Sequence, residues 1–150
     1  MLKKITLIRH AESVMNLKSE FIIGGRSLHT PLTEKGKIQS KELGEYFKAK
    51  NIKFDKIYCS SAIRTQETLK HCFQSSDFIL DENLLEIDQG DWEGVSREIY
   101  KRSDVKYQLD NNNWEFIPGD TIKGESQKWL LREWKNVYIK LFWKIHLQII

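Results

Sequence analysis

The chain has 150 residues, 40% hydrophobic and 30% charged, with two Pro and two Cys. That is one domain's length with enough apolar residues for a core, which excludes a disordered chain, and two thiols exclude a disulfide scaffold. The formal net charge is +3, of which residues 128–150 contribute +4 (five Lys or Arg against Glu133), leaving −1 on the first 127, so the basic balance reports a tail and not a nucleic-acid surface.

Cys59 and Cys72 read as buried thiols in a reducing, cytoplasmic setting. Only the short apolar run from Ile5 to Ile8 follows Lys3 and Lys4, so neither a signal peptide nor a membrane span is expected. Lys3 to Ile8 is expected to form a short strand buried on both faces, running straight into Arg9 and His10. Pro31-Leu32-Thr33-Glu34 marks a helix entry with Thr33 as N-cap, and Leu43, Tyr46 and Phe47 supply that helix's apolar face. Ile57-Tyr58-Cys59 reads as a second strand, Ser60-Ser61 as the lead into a helix over 62–74, and Asp77 to Leu80 as a third strand. This alternation predicts an α/β domain with a mostly parallel sheet flanked by helices. Asn111-Asn112-Asn113 is expected in a loop.

At residue 128 the composition changes. From there to Ile150 there is no Gly, Pro, Ser, Thr or Asp, and three of the five Trp fall there. Polar residues recur at 128, 132, 136, 140, 144 and 148, which as a helix gives one polar stripe and a wide apolar face. The expected division is therefore a domain over 1–127 and an atypical amphipathic helical tail over 128–150. The tail is a candidate for self-association or for docking on a protein or anionic membrane surface.

In open α/β sheets, ligands bind just beyond the carboxyl ends of the strands. Arg9 and His10 follow the first expected strand, and Ser60, Ser61 and Arg64 follow the second. Two guanidinium groups match phosphate oxygens and keep their charge at any working pH. A neutral imidazole beside them is a nucleophile towards phosphorus. Each piece also has a structural or solvated reading when taken alone.

The pieces occur together with longer motifs. Leu7-Ile8-Arg9-His10-Ala11-Glu12-Ser13 followed by Asn16 resembles the signature of the histidine phosphatase superfamily, the phosphoglycerate mutase-like proteins. Pro31-Leu32-Thr33-Glu34-Lys35-Gly36 with Gln39 resembles its second block, and the run from Ile57 to Thr68 (Ile-Tyr-Cys-Ser-Ser-Ala-Ile-Arg-Thr-Gln-Glu-Thr) its third. The run from Leu85 to Gly94 (Leu-Glu-Ile-Asp-Gln-Gly-Asp-Trp-Glu-Gly) resembles the fourth. A fifth is partial: Gly124-Glu125-Ser126 fits, but Pro118-Gly119 is set apart from it.

This resemblance implies a phosphoglycerate mutase-like fold and a two-step phosphoryl transfer. His10 becomes phosphohistidine, Arg9 and Arg64 clamp the phosphoryl oxygens, and Asn16 adds a neutral hydrogen bond. Glu86 protonates the leaving alkoxide, so burial or the incoming phosphate must favour its protonated form. Ser13 either donates to the substrate or caps the next helix, and Arg26 either meets the substrate or is solvated. Glu12 is expected as a scaffold carboxylate, Trp92 as a core or pocket-wall aromatic, and His29 and His71 as structural or solvated. The implied partner is a small soluble phosphomonoester. No nucleic acid, cofactor or metal is expected, and no cluster of His, Cys or Asp has metal-ligand spacing.

The chain departs from the family in one respect. Members carry a second pocket histidine after a late apolar strand, in a Ser-His-Gly sequence, which these 150 residues lack; His146, in Lys-Ile-His-Leu-Gln, is not read as its replacement. With the shift at residue 128, this is the pattern expected of a C-terminally truncated or divergent member. It would lack the usual C-terminal strand, leave a sheet edge open and have reduced activity. Three functions follow from the sequence: a histidine phosphatase, a phosphoglycerate mutase, or a non-catalytic remnant that binds phosphate or a partner.

Overall fold

The computed structural model describes residues 5–18, 21–113, 115 and 116. The tail over 128–150, the partial fifth block and His146 lie outside the described residues. The elements run α1 (Val14–Lys18), α2 (Glu34–Ala49), β1 (Tyr58–Cys59), α3 (Ile63–Phe73), β2 (Ile79–Leu80) and α4 (Ser103–Asp110), with three short 3-10 turns between β2 and α4. They fall into two compact units. One comprises residues 5–14 and Leu28–Leu85; the other comprises Met15–Ser27 and residues 86–116.

The first unit is a β–α–β arrangement with α2 packed on α3. β1 and β2 are parallel, with Tyr58 opposite Ile79 and Cys59 opposite Leu80, tied by Ile79 N–H to the Ile57 carbonyl at 2.9 Å and Asp81 N–H to that of Cys59 at 2.8 Å. α2 starts where its sequence says it should: Thr33 is extended and its hydroxyl accepts the Gly36 N–H at 3.0 Å, while Glu34 complements the dipole. Small residues let α2 approach its neighbours. A Cβ on Gly44 would overlap the Cys72 carbonyl of α3, and one on Gly36 would overlap that of Glu12. Phe47, Phe54 and Phe73 form an aromatic cluster with centroids 5.0–6.0 Å apart. Cys59 and Leu69 are buried against Ile8, Phe54, Ile57, Phe73 and Phe78.

Two expectations are corrected here. Residues 5–8 belong to no helix and make no strand ladder among the described residues. Ile8 faces the core, whereas Ile5 is 36% and Leu7 69% exposed, because no described element covers that second face. In α2, Phe47 is buried but Tyr46 is 53% exposed; the inward row is Gly36, Ser40 and Phe47, since close packing selects small side chains there over a second large one.

In the second unit, residues 21–24 run antiparallel to 94–97, with reciprocal bonds from Ile23 N–H to the Val95 carbonyl and Gly94 N–H to the Ile23 carbonyl, both 2.8 Å. Ile23, Trp92 and Val105 form its core, joined by Ile99, Tyr100 and Phe116. Trp92 is thus a core aromatic, packed edge-on against Tyr100 at 6.2 Å. Asn111 to Asn113 follow α4 in a turn, with Asn112 at φ 51°. Among the described residues no helix is long and apolar enough to cross a membrane.

Candidate active site

His10 is half-buried and directly follows the segment of residues 5–9. Its Nδ1 lies 2.7 Å from the Ala11 carbonyl oxygen. A carbonyl only accepts, so Nδ1 carries the proton, and in the neutral ring the lone pair is at Nε2. The side chain is thereby set in the tautomer a nucleophile needs.

The segment bearing His10 is seated by ties to three elements. The Ala11 N–H donates to Thr68 Oγ1 at 3.1 Å, and that hydroxyl donates to the Arg64 carbonyl one turn earlier in α3 at 2.7 Å. One hydroxyl therefore joins the peptide following His10 to the backbone of Arg64. The Glu12 N–H donates to Gln39 Oε1 of α2 at 2.9 Å. Residues 12–14 also pair with 31–33: Val14 N–H reaches the Pro31 carbonyl and Thr33 N–H that of Glu12, both at 3.0 Å. Leu32 is itself pinned by Glu67, whose Oε2 accepts its N–H at 2.7 Å.

Glu12 is the scaffold carboxylate expected. Lys35 Nζ donates to it at 3.0 Å and the Thr33 hydroxyl at 2.8 Å, and these two donors hold its carboxyl below the ordinary 4.5. Ser13 is 1% exposed, at the bridge to Leu32. Arg64, in the first turn of α3, is 7% exposed, and burial on that scale requires compensating acceptors around a permanently charged group. Arg9 is exposed on the opposite side of the alternating segment from Ile8 and His10.

Asn16, Arg26 and Glu86 belong to the second unit. Glu86 is exposed rather than buried, and its Oε1 accepts the N–H of Ile87 at 2.9 Å. The Arg26 guanidinium donates from Nε to the Glu86 carbonyl at 3.0 Å and lies 3.7 Å from Asp88. His29 is exposed in a loop and His71 half-buried in α3. Burial pushes the Cys59 thiol up to about 12 and that of Cys72 to about 11, so neither is a nucleophile near neutrality.

The structure thus places Arg9, His10, Ser13 and Arg64 in one unit and Asn16, Arg26 and Glu86 in the other. Sequence reasoning missed Thr68, Gln39 and Glu67. All three sit inside the matched blocks, and the signal for Thr68 is its place four residues after Arg64, one helical turn on the same face.

Comparison with known proteins bears on the same residues. The family model for the histidine phosphatase superfamily (branch 1) matches residues 5–141. A 2,3-bisphosphoglycerate-dependent phosphoglycerate mutase of Mesorhizobium japonicum is 36% identical over 103 residues, which is 65% of this chain and 48% of the relative. The corresponding mutase of Brucella anthropi is 37% identical over the same shares. The chain spans about half the length of these relatives. Among solved structures, the alpha-ribazole phosphatase of Shigella flexneri superposes with a TM-score of 0.74 at 25% identity, covering 95% of this chain and 69% of that one. A mycobacterial glucosyl-3-phosphoglycerate phosphatase has the same fold, with a TM-score of 0.74 at 20% identity, covering 93% of this chain and 63% of that one. With the family model running across residues 5–141 and the α/β architecture shared with these structures, the chain belongs to the histidine phosphatase superfamily and has its phosphoglycerate mutase-like fold.

Proposed function

We propose that these residues form part of a phosphomonoester hydrolase acting on a small soluble phosphorylated metabolite through a phosphohistidine at His10. The single observation that carries this reading is the bond from His10 Nδ1 to the Ala11 carbonyl, which leaves Nε2 as the nucleophilic nitrogen. In the first step Nε2 attacks phosphorus in line, the ester P–O bond breaks, and Glu86 gives its proton to the departing alkoxide. In the second step Glu86 takes a proton from water, whose oxygen attacks phosphorus; the P–N bond breaks, releasing inorganic phosphate and neutral His10. Arg9 and Arg64 hold the equatorial oxygens where negative charge accumulates, and Asn16 adds a neutral donor. Ser13, on this reading, is a further donor to the substrate. The arginines supply the charge that a metal would otherwise supply, and no cofactor enters either step.

The test is acid-labile labelling of the protein by a radiolabelled aryl phosphate. Wild type should form the phosphoenzyme and His10→Ala should not; absence of label on wild type, or equal label on both, would support the non-catalytic reading instead. These 150 residues contain no Ser-His-Gly donor, so turnover by the chain as it stands is expected to lie ~10²–10³ below that of a relative carrying one.

A second reading, phosphoryl transfer within a phosphoglycerate, is favoured by the curated relatives, which are mutases. Incubation with a phosphoglycerate separates the two: interconversion of isomers supports the mutase, and release of inorganic phosphate without interconversion removes it.

A further inference from the structure

We propose that Arg26 is a positioning residue for Glu86, acting through the backbone of the loop that carries this carboxylate rather than through the phosphoryl group. The inference rests on the reading of Glu86 as the proton donor. Residues 86–89 belong to no helix or strand, so their placement must come from tertiary ties. Arg26 is fixed at both ends. Its own N–H donates to Glu93 Oε1 at 2.6 Å, and the same carboxylate accepts the N–H of Gln89 on Oε1 and of Ser27 on Oε2, both at 3.3 Å. Gly25, at φ 50°, lets the loop fold over that carboxylate where a side chain would collide with it.

At its far end the guanidinium meets the Glu86 loop twice, through Nε to the Glu86 carbonyl at 3.0 Å and through Nη1 facing Asp88 Oδ2 at 3.7 Å. Asp88 in turn holds Gly90 N–H on Oδ1 at 2.7 Å. Glu93, Arg26, Asp88 and the Glu86 carbonyl thus form a continuous strut, with the Arg26 side chain only 20% exposed. The tie to the loop is thus one charge-assisted hydrogen bond to the Glu86 carbonyl, with Asp88 close enough for an ion-pair contact. Loosening it displaces an acid that must sit within hydrogen-bond reach of the leaving oxygen, where a shift of about 1 Å costs up to ~10²-fold.

Leaving-group dependence separates this role from phosphate binding. A nitrophenolate leaves without a proton, whereas an alkoxide needs one. Arg26→Met, which keeps length and loses the donors, should lower kcat/KM for glycerol phosphate by roughly 10–100-fold while changing that for nitrophenyl phosphate by less than about 3-fold. Inhibition by inorganic phosphate should be unchanged. Asp88→Asn should produce the same selectivity in weaker form, and it carries the test if Arg26→Met does not fold. Independently of turnover, hydrogen exchange at Ile87 should accelerate in both variants. Equal loss on both esters, weakened phosphate inhibition, or unchanged exchange at Ile87 overturns the inference. Glu86→Gln is the control for the parent reading: if it shows no preference between the two esters, Glu86 is not the acid. The Ile87 exchange then still decides whether Arg26 holds the loop.

Discussion

Thr68 shows how much a single hydroxyl does near His10. It accepts from Ala11 and donates to Arg64, so its two bonds set the spacing between the peptide that follows His10 and the helix that presents a buried guanidinium. Thr68→Val keeps the shape and removes both bonds, leaving the Ala11 N–H without that acceptor. It should destabilise the protein by about 1–3 kcal/mol in urea unfolding and lower the rate of phosphoenzyme formation. Thr68→Ser should restore most of both. Full activity in the valine variant would show that the segment is seated by its other ties. The place of Thr68 one turn after Arg64 was legible, since a threonine in a helix commonly bonds the carbonyl one turn back, but nothing in a one-dimensional pattern shows which distant N–H its oxygen will accept. Glu12 was legible, since a carboxylate beside a motif histidine with Thr33 and Lys35 downstream has obvious donors.

At the scale of elements, the second sequence block acts as a cradle. Thr33, Lys35, Gly36 and Gln39 all touch Glu12 or would collide with it. Replacing a helical glycine by alanine normally stabilises a helix by about 0.5–1 kcal/mol. Here the sign should reverse. Gly36→Ala and Gly44→Ala each drive a methyl group into a backbone carbonyl, so both should destabilise by roughly 1–3 kcal/mol in denaturant titration. Only Gly36→Ala displaces the segment that carries His10, so on the proposed reading it alone should depress kcat/KM of the folded fraction. Thermal stabilisation by either variant would refute the close approach. The entry of α2 was readable from its cap, β1 and β2 from their apolar runs, and α3 from the Ser60-Ser61 lead before it. α1 and α4 were not, since five and eight residues with little buried surface announce no periodicity; Val105 is the only buried residue of α4.

For the molecule as a whole, the two buried thiols offer a reading of opening. With Cys59 at 0% exposure and both thiols held protonated by burial, alkylation near pH 8 should be slow in the native protein and fast in denaturant. Mass spectrometry of the labelled peptides checks this, and rapid native labelling of Cys59 would contradict the packing of β1 against α3. The two thiols also illustrate a general limit. Their number excluded a disulfide framework at once and their burial was expected, but the partners that bury Cys59 of β1, Leu69 of α3 among them, are seen only in the fold.

The family was carried by short runs of residues, because its motif blocks keep fixed residue types in fixed local order whatever surrounds them. The same runs established the alternation of strand and helix, which depends on neighbours along the chain. What waited for the folded molecule was every tie between residues distant in sequence: Thr68 on Ala11, Glu67 on Leu32, Arg26 on the Glu86 carbonyl, and the open face of residues 5–8. Such contacts depend on how closely two backbones approach, and that distance is set by packing against a third element, about which no single stretch of sequence carries information.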